Sequence, residues 1–195
     1  KQHHPGLVKL LPPLIAAWRQ GKYRALKTES ARADFEAVLP QLIDRLAAAA
    51  DPATAAHRLD GLLAGLPAGA QFFALLRANP RLVGLLGNLV GITPVLAEAL
   101  ARDPALFDVM LAPDAFAPLP DADQLAAELA RLCRGGGLED VLDRVRRWTA
   151  ELRFQLGAQL IEGHAGALAV GRSLADLADA AVRILLPAVA ADFAG

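Results

Sequence analysis

Four times in the middle of this chain a short polar residue stands directly before a proline: Asp51-Pro52, Asn79-Pro80, Thr93-Pro94 and Asp103-Pro104. Each pair reads as a helix start. The polar side chain can accept a bond from an orphan backbone N–H, and proline at the first helical position loses nothing because its missing N–H has no partner there. So many starts packed into some fifty residues restrict the region to short, angled helices. Asn79-Pro-Arg-Leu, Thr93-Pro-Val-Leu and Asp103-Pro-Ala-Leu look alike, but their unequal spacing marks a shared capping grammar and excludes a solenoid array.

The flanks support helix as well. From Thr28 to about Ala49 the apolar residues Ala31, Phe35, Val38, Leu39, Leu42 and Leu46 recur at helical spacing, with Pro40 expected to kink the run. Gln124 to Leu132 is predicted helical and closed by Gly135-Gly136-Gly137. A long helix then carries the stripe Leu138, Val141, Leu142, Val145, Trp148, Leu152, Leu156 and Leu160, with Phe154, Gly157, Ala158 and Ile161 adding a second apolar side to its later half. The last helix is predicted to open at Ser173, with Asp176 bonding back, and to bend at Pro187. Pro12 and Pro13 argue against a long helix near the start, where only a short one from Pro13 to Arg19 is expected. No alternating β-branched run flanked by hairpin turns occurs.

The fold class expected is therefore all-α: a single multi-helix domain of short Pro-capped helices plus two longer C-terminal helices, with negligible strand. Residues 1–21 read as a connecting arm and 22–195 as the helical domain. Because aromatic residues make up only 5% of a chain that is 54% hydrophobic, Ala and Leu must fill most of the core, which at 195 residues is expected to be one continuous body.

Charge narrows the possible partners. Twenty basic against 21 acidic residues leave a formal net charge of -1, with no long-range pull toward nucleic acid or an anionic membrane. The longest uncharged runs, Gly61 to Leu76 and Leu82 to Ala97, fall short of the roughly 20 residues of a membrane span. A lone Cys133 forms no internal disulfide, and no secretory signal pattern is present, so a cytoplasmic setting is expected. The chain opens at Lys1 without methionine, its only one being Met110, and closes directly after a helical run; a segment of a longer polypeptide is expected.

Candidate chemistry is sparse. Gly135-Gly136-Gly137 lacks the Lys-Ser/Thr of a P-loop and follows no strand, so it reads as a helix terminator. Asp121 and Asp123 have the Asp-x-Asp spacing of metal-binding nucleotidyltransferases, yet they stand at a helix start, where acids suit the dipole. His3 and His4 lie at the terminus without acidic or thiol partners, His57 and His164 read as surface histidines, and Cys133 as a small buried hydrophobe. The string Asp140, Asp143, Arg144, Arg146, Arg147, Glu151 and Arg153 is read as a solvated face with pairs four apart, Asp140 with Arg144, Asp143 with Arg147 and Arg147 with Glu151. No catalytic, cofactor-binding or metal-ligating residue is assigned. As possible interdomain contacts we single out Trp18, Arg19, Tyr23 and Arg24, whose basic cluster meets no acid until Glu29, together with Arg146 and Arg147.

Several longer stretches carry a resemblance. Leu66-Pro-Ala-Gly-Ala-Gln-Phe-Phe-Ala-Leu-Leu, Ala78-Asn-Pro-Arg-Leu and Thr93-Pro-Val-Leu-Ala-Glu-Ala-Leu-Ala-Arg-Asp-Pro-Ala-Leu-Phe-Asp are similar to the glutamine synthetase adenylyltransferase family. Gly21-Lys-Tyr-Arg-Ala-Leu-Lys-Thr-Glu, Arg146-Arg-Trp, Phe154-Gln-Leu-Gly and Asp176-Leu-Ala-Asp extend the likeness over nearly the whole chain. The resemblance implies a parent with two nucleotidyltransferase halves that uses ATP and magnesium to attach AMP to a tyrosine of glutamine synthetase. The same parent removes that AMP by phosphorolysis, under control of the PII signal protein and glutamine. It also implies that this chain is the helical linker or regulatory segment leading into the second half, with the glycine-rich turn and paired-aspartate strand of the family lying beyond Gly195. No catalytic residue carries over onto any position here. The competing reading is a free-standing α-helical protein-interaction domain unrelated to nitrogen control.

Overall fold

In the computed structural model, residues 5–194 are described, and they form helices joined by short turns with no strand among them. The chain folds as two compact units, Lys1–Asp108 and Val109–Gly195. Where length alone suggests one core, each unit encloses its own. No described helix is long and apolar enough to cross a membrane.

The first unit holds α1 (Pro5–Arg19), a 3₁₀ turn (Arg24–Leu26), α2 (Glu29–Ala48), α3 (Pro52–Gly65), α4 (Ala70–Ala78), α5 (Pro80–Ile92) and α6 (Pro94–Arg102). A further 3₁₀ stretch covers Pro104–Leu111. All six residues of the stripe predicted for α2, from Ala31 to Leu46, are buried, and the Thr28 hydroxyl accepts the Ala31 N–H at 3.2 Å. α2 packs against α3, α4 and α5, and α3 against α1, α5 and α6.

The α2–α5 approach is close because α5 turns glycines toward it. A Cβ on Gly87 would stand 2.4 Å from the Cβ of Arg45, and one on Gly91 3.4 Å from that of Ala49. Despite the low aromatic content, a relay of rings runs through this core. Trp18 meets Phe35 edge-on at 5.7 Å between centroids, Phe35 meets Phe73 at 5.2 Å, and Phe72 touches both Phe73 and Phe107 at 5.5 Å.

The cap-proline pairs do open elements, but only half of them use the side chain as expected. Asp51 accepts the Thr54 N–H at 3.1 Å and Asp103 the Ala105 N–H at 3.2 Å. Thr93 makes no such bond, and Asn79 turns its amide the other way, donating to the Leu75 carbonyl at 2.9 Å. With helices this closely strung, Asn79 is both the C-cap of α4 and the N-cap of α5, and its side chain closes the earlier helix. The arm expected over 1–21 is helical from Pro5, with Pro12 and Pro13 inside α1.

The second unit holds α7 (Ala122–Cys133), α8 (Leu138–Ile161) and α9 (Ala167–Ala194), each packed on the other two. Its core gathers Leu125, Leu129, Cys133, Val141, Val145, Trp148, Leu177 and Ala180. The later half of α8 is buried at Phe154, Gln155, Leu156, Ala158 and Gln159, whereas Leu142 and Leu160 of the predicted stripe are exposed. Two glutamines account for the unexpected burial: Gln155 and Gln159 each donate to the Ala115 carbonyl at 2.9 Å, and Gln159 also to that of Ala117 at 2.8 Å. They pin the proline-rich connection before α7 and satisfy carbonyls no helix serves. α9 begins six residues earlier than the expected Ser173 start. The Gly166 carbonyl accepts the Val170 N–H at 3.0 Å, so glycine begins the helix and Ser173 lies inside it.

Candidate functional site

The region singled out around Trp18 forms where α1 ends. Gly21 takes a φ of +69°, a left-handed turn that L side chains rarely adopt, and this reverses the chain into the 3₁₀ turn. A side chain there would also press its Cβ to 3.0 Å from the Leu26 carbonyl. The reversal puts Trp18 and Tyr23 over the same carboxylate on α3. The Trp18 indole N–H donates to Asp60 Oδ1 and the Tyr23 hydroxyl to Oδ2, both at 2.8 Å. Lys22 sits over the Tyr23 ring, 4.7 Å from its centroid. Burial is the chief reason the Tyr23 hydroxyl titrates above the ordinary tyrosine range, with the Asp60 bond adding to it against Lys22.

Arg19 reaches the other way, to α2, and grips Glu36 with two bonds, Nε to Oε1 at 2.7 Å and Nη2 to Oε2 at 2.9 Å. That hydrogen bond pulls the Glu36 carboxyl below its usual range and raises the guanidinium. The acid that balances Arg19 is therefore Glu36, further along the helix that Glu29 opens. Arg32 donates to the Leu26 and Lys27 carbonyls at 3.1 and 2.9 Å and closes the 3₁₀ turn. A shallow cleft of about 250 Å³ opens among Trp18, Arg19, Glu29, Arg32, Phe35 and Glu36. Two cations and two anions line it, so it offers no field of one sign to a charged ligand.

Of the residues proposed as contacts, Trp18 is fully buried and presents no side-chain surface, Tyr23 is half-buried, and Arg19 and Arg24 are exposed. Arg146 and Arg147 are exposed neighbours on α8. Asp143 bonds Arg146, three residues away, at 2.9 Å, where the spacing suggested Arg147. Arg144 donates to the Leu132 carbonyl at 2.7 Å, and so caps the end of α7. No pattern along one helix announces such a bond across a turn.

The remaining candidates have structural partners. Asp121 accepts the Gln124 N–H at 2.9 Å as the cap of α7, and Asp123 pairs with Arg183 of α9, so the Asp-x-Asp spacing is divided between two tasks. Gly135, at φ +75°, turns the chain after α7. His57 is exposed, and the exposed His164 stacks its ring 4.3 Å from that of Phe116. Cys133 is buried, which raises its thiol above the ordinary value against the opposing pull of Arg144. His3 and His4 lie outside the described residues. Among the described residues no three His, Cys, Asp or Glu side chains gather closely enough to hold a metal ion. What sequence reasoning missed is Asp60, which joins two aromatic donors from 37 and 42 residues away.

Comparison with known proteins bears on these helices directly. A family model described as glutamate-ammonia ligase adenylyltransferase matches residues 83–194. Bifunctional glutamine synthetase adenylyltransferase/adenylyl-removing enzymes are similar over most of the chain. That of Rhizobium meliloti is 40% identical over 177 residues, 90% of this chain and 18% of the relative. Those of Mesorhizobium japonicum and Brucella suis are each 37% identical, over 93% and 92% of this chain and 18% of the relative. The chain thus spans about a fifth of the length of the curated relatives it matches.

Proposed function

The chain belongs to the glutamate-ammonia ligase adenylyltransferase family, and from that premise we propose that it is a non-catalytic helical segment of a longer bifunctional enzyme, one that positions the nucleotidyltransferase domains on either side of it. The observation that carries this reading is the fate of Asp121 and Asp123. The one Asp-x-Asp pair in the sequence is spent on capping α7 and on tying α7 to α9. Asp121 and Asp123 therefore have structural tasks in place of magnesium ligation; on this reading ATP and magnesium are bound by the parent's catalytic domains, and no step of AMP transfer is routed through this segment.

The parent's task is to transfer AMP from ATP to a tyrosine of glutamine synthetase and to remove it again, in the cytoplasm, under the PII signal protein. This segment contributes rigidity to that task. The part-buried Trp18–Asp60–Tyr23 clamp and the aromatic relay hold the first unit, and the paired glutamines hold the second. Relay of an effector signal between the halves is the further role such a spacer can serve.

The test uses the 195-residue chain itself. Calorimetry with ATP and magnesium should give no binding heat, and incubation with glutamine synthetase and ATP should transfer no AMP. Either signal overturns the reading. So does a reading frame whose neighbouring sequence lacks a glycine-rich turn followed by an Asp-x-Asp strand.

A further inference from the structure

The last helix is apolar on two sides. One side, Leu177 and Ala180 with Ile184, Leu185 and Ala188, packs into the core of the second unit, and Val170 on the same side is buried too. The other leaves Leu168, Val182, Leu186 and Phe193 in solvent, with 71%, 58%, 68% and 87% of their surface exposed. At 100° per residue these four side chains and the exposed Ala175 fall within about 40° of one another, along roughly 38 Å of helix. No charged residue interrupts that arc. Arg172, Asp179 and Arg183 stand along one edge, and Arg183 is already paired with Asp123.

Single exposed hydrophobes are ordinary, but a continuous line of this length marks a contact surface. An amphipathic helix serving one core needs a single stripe. We propose that the outer stripe of α9 is the seat of another domain of the same polypeptide, which meets it with an uncharged apolar face. This rests on the reading above that the chain is one segment of a longer enzyme. Three observations select that occupant. About four-fifths of the length of the relatives lies outside the stretch matched by this chain. The family match takes in all of α9. The edge charges are mixed in sign and partly paired, which favours neither nucleic acid nor an anionic membrane. A domain tethered in the same chain meets the stripe at high effective concentration, so an apolar contact of this width closes without the help of charge.

The experiment compares maleimide labelling at single cysteines in the 195-residue chain and in the full-length polypeptide. Both carry Cys133→Ala, and labelling is read peptide by peptide by mass spectrometry. Val182→Cys and Leu186→Cys should label at least tenfold more slowly in the full-length protein, while Ala150→Cys, exposed on α8, changes less than threefold. Equal rates at the stripe in the two proteins overturn the proposal, as does equal slowing at Ala150→Cys. Slowing in the 195-residue chain that grows with protein concentration also overturns it, by assigning the stripe to a second copy. The scaffold reading fails separately. AMP transfer by the 195-residue chain sinks that reading and leaves the labelling contrast intact, whereas equal labelling of an inactive chain sinks the docking face alone.

Discussion

Replacing Asp60 by alanine removes one carboxylate and strands two donors, and the structure allows the loss to be sized. The Trp18 indole N–H belongs to a fully buried ring, and its 2.8 Å partner is the half-buried Asp60 carboxylate. An orphaned buried donor of that kind costs about 1–3 kcal/mol. The Tyr23 hydroxyl is half-exposed and can turn to solvent, so its lost bond adds only about 0.5–1.5 kcal/mol. The total is about 1.5–4.5 kcal/mol. With a urea dependence of about 2 kcal/mol per molar, the unfolding midpoint should fall by about 0.8–2.2 M. The assay is equilibrium urea unfolding in a Trp148→Phe background, so that emission reports Trp18 alone, the chain having two tryptophans. Tyr23→Phe should cost less than half as much, and the double variant should add little to Asp60→Ala. A midpoint drop below about 0.3 M with unchanged Trp18 emission would refute the claim that this carboxylate fastens α1 to α3.

Further outcomes follow from the same contacts. Gly87→Ala should lower stability by about 1–3 kcal/mol in thermal or urea unfolding, because its methyl collides with the Arg45 Cβ at the root of that side chain. Gly61→Ala, on α3 with nothing within 4 Å, should raise stability by about 0.5–1 kcal/mol. Gln159→Ala orphans the Ala117 carbonyl and leaves that of Ala115 to Gln155 alone, and should cost about 1–3 kcal/mol, with faster amide hydrogen exchange confined to that connection. On the acid side, Glu36 is held below its ordinary value chiefly by its bond from Arg19. The stability it adds is present above the ordinary glutamate range and is lost as pH falls through its lower folded value, so Glu36→Gln should flatten the acid limb of an unfolding profile. Tyr23 runs the opposite way. Its raised value, chiefly from burial, gives stability below the ordinary tyrosine range that disappears as pH rises through the folded one, and Tyr23→Phe should flatten the alkaline limb.

The helices were legible wherever the signal was local. Ala31 to Leu46 are buried at the positions their spacing marks, and Thr28, Asp51 and Asp121 cap as their chemistry suggests. The misses share one cause. Asn79 looked like a cap for the helix ahead and serves the one behind, because a side chain with neighbours on both sides goes where its donor finds a carbonyl. Ser173 looked like a start, but burial of Val170 and Leu177 on one face carries α9 back to Ala167. Asp60, Glu36, Gln155 and Gln159 find partners 17 to 44 residues away, and no window along the chain contains both members. Trp18 stands beside a basic cluster in the sequence, yet its ring lies against Phe35 and its N–H against Asp60, which makes it interior.

The double duty of Asn79 limits how this segment can change over time. With one residue ending α4 and beginning α5, there is no slack in which an extra residue could be absorbed. A single insertion after Asn79 would turn α5 by about 100°, carrying Gly87 away from Arg45 and swinging a larger side chain into the gap. Such a junction tolerates altered letters far better than altered length, and gene variants across it should differ by replacement and hardly ever by gain or loss of a codon.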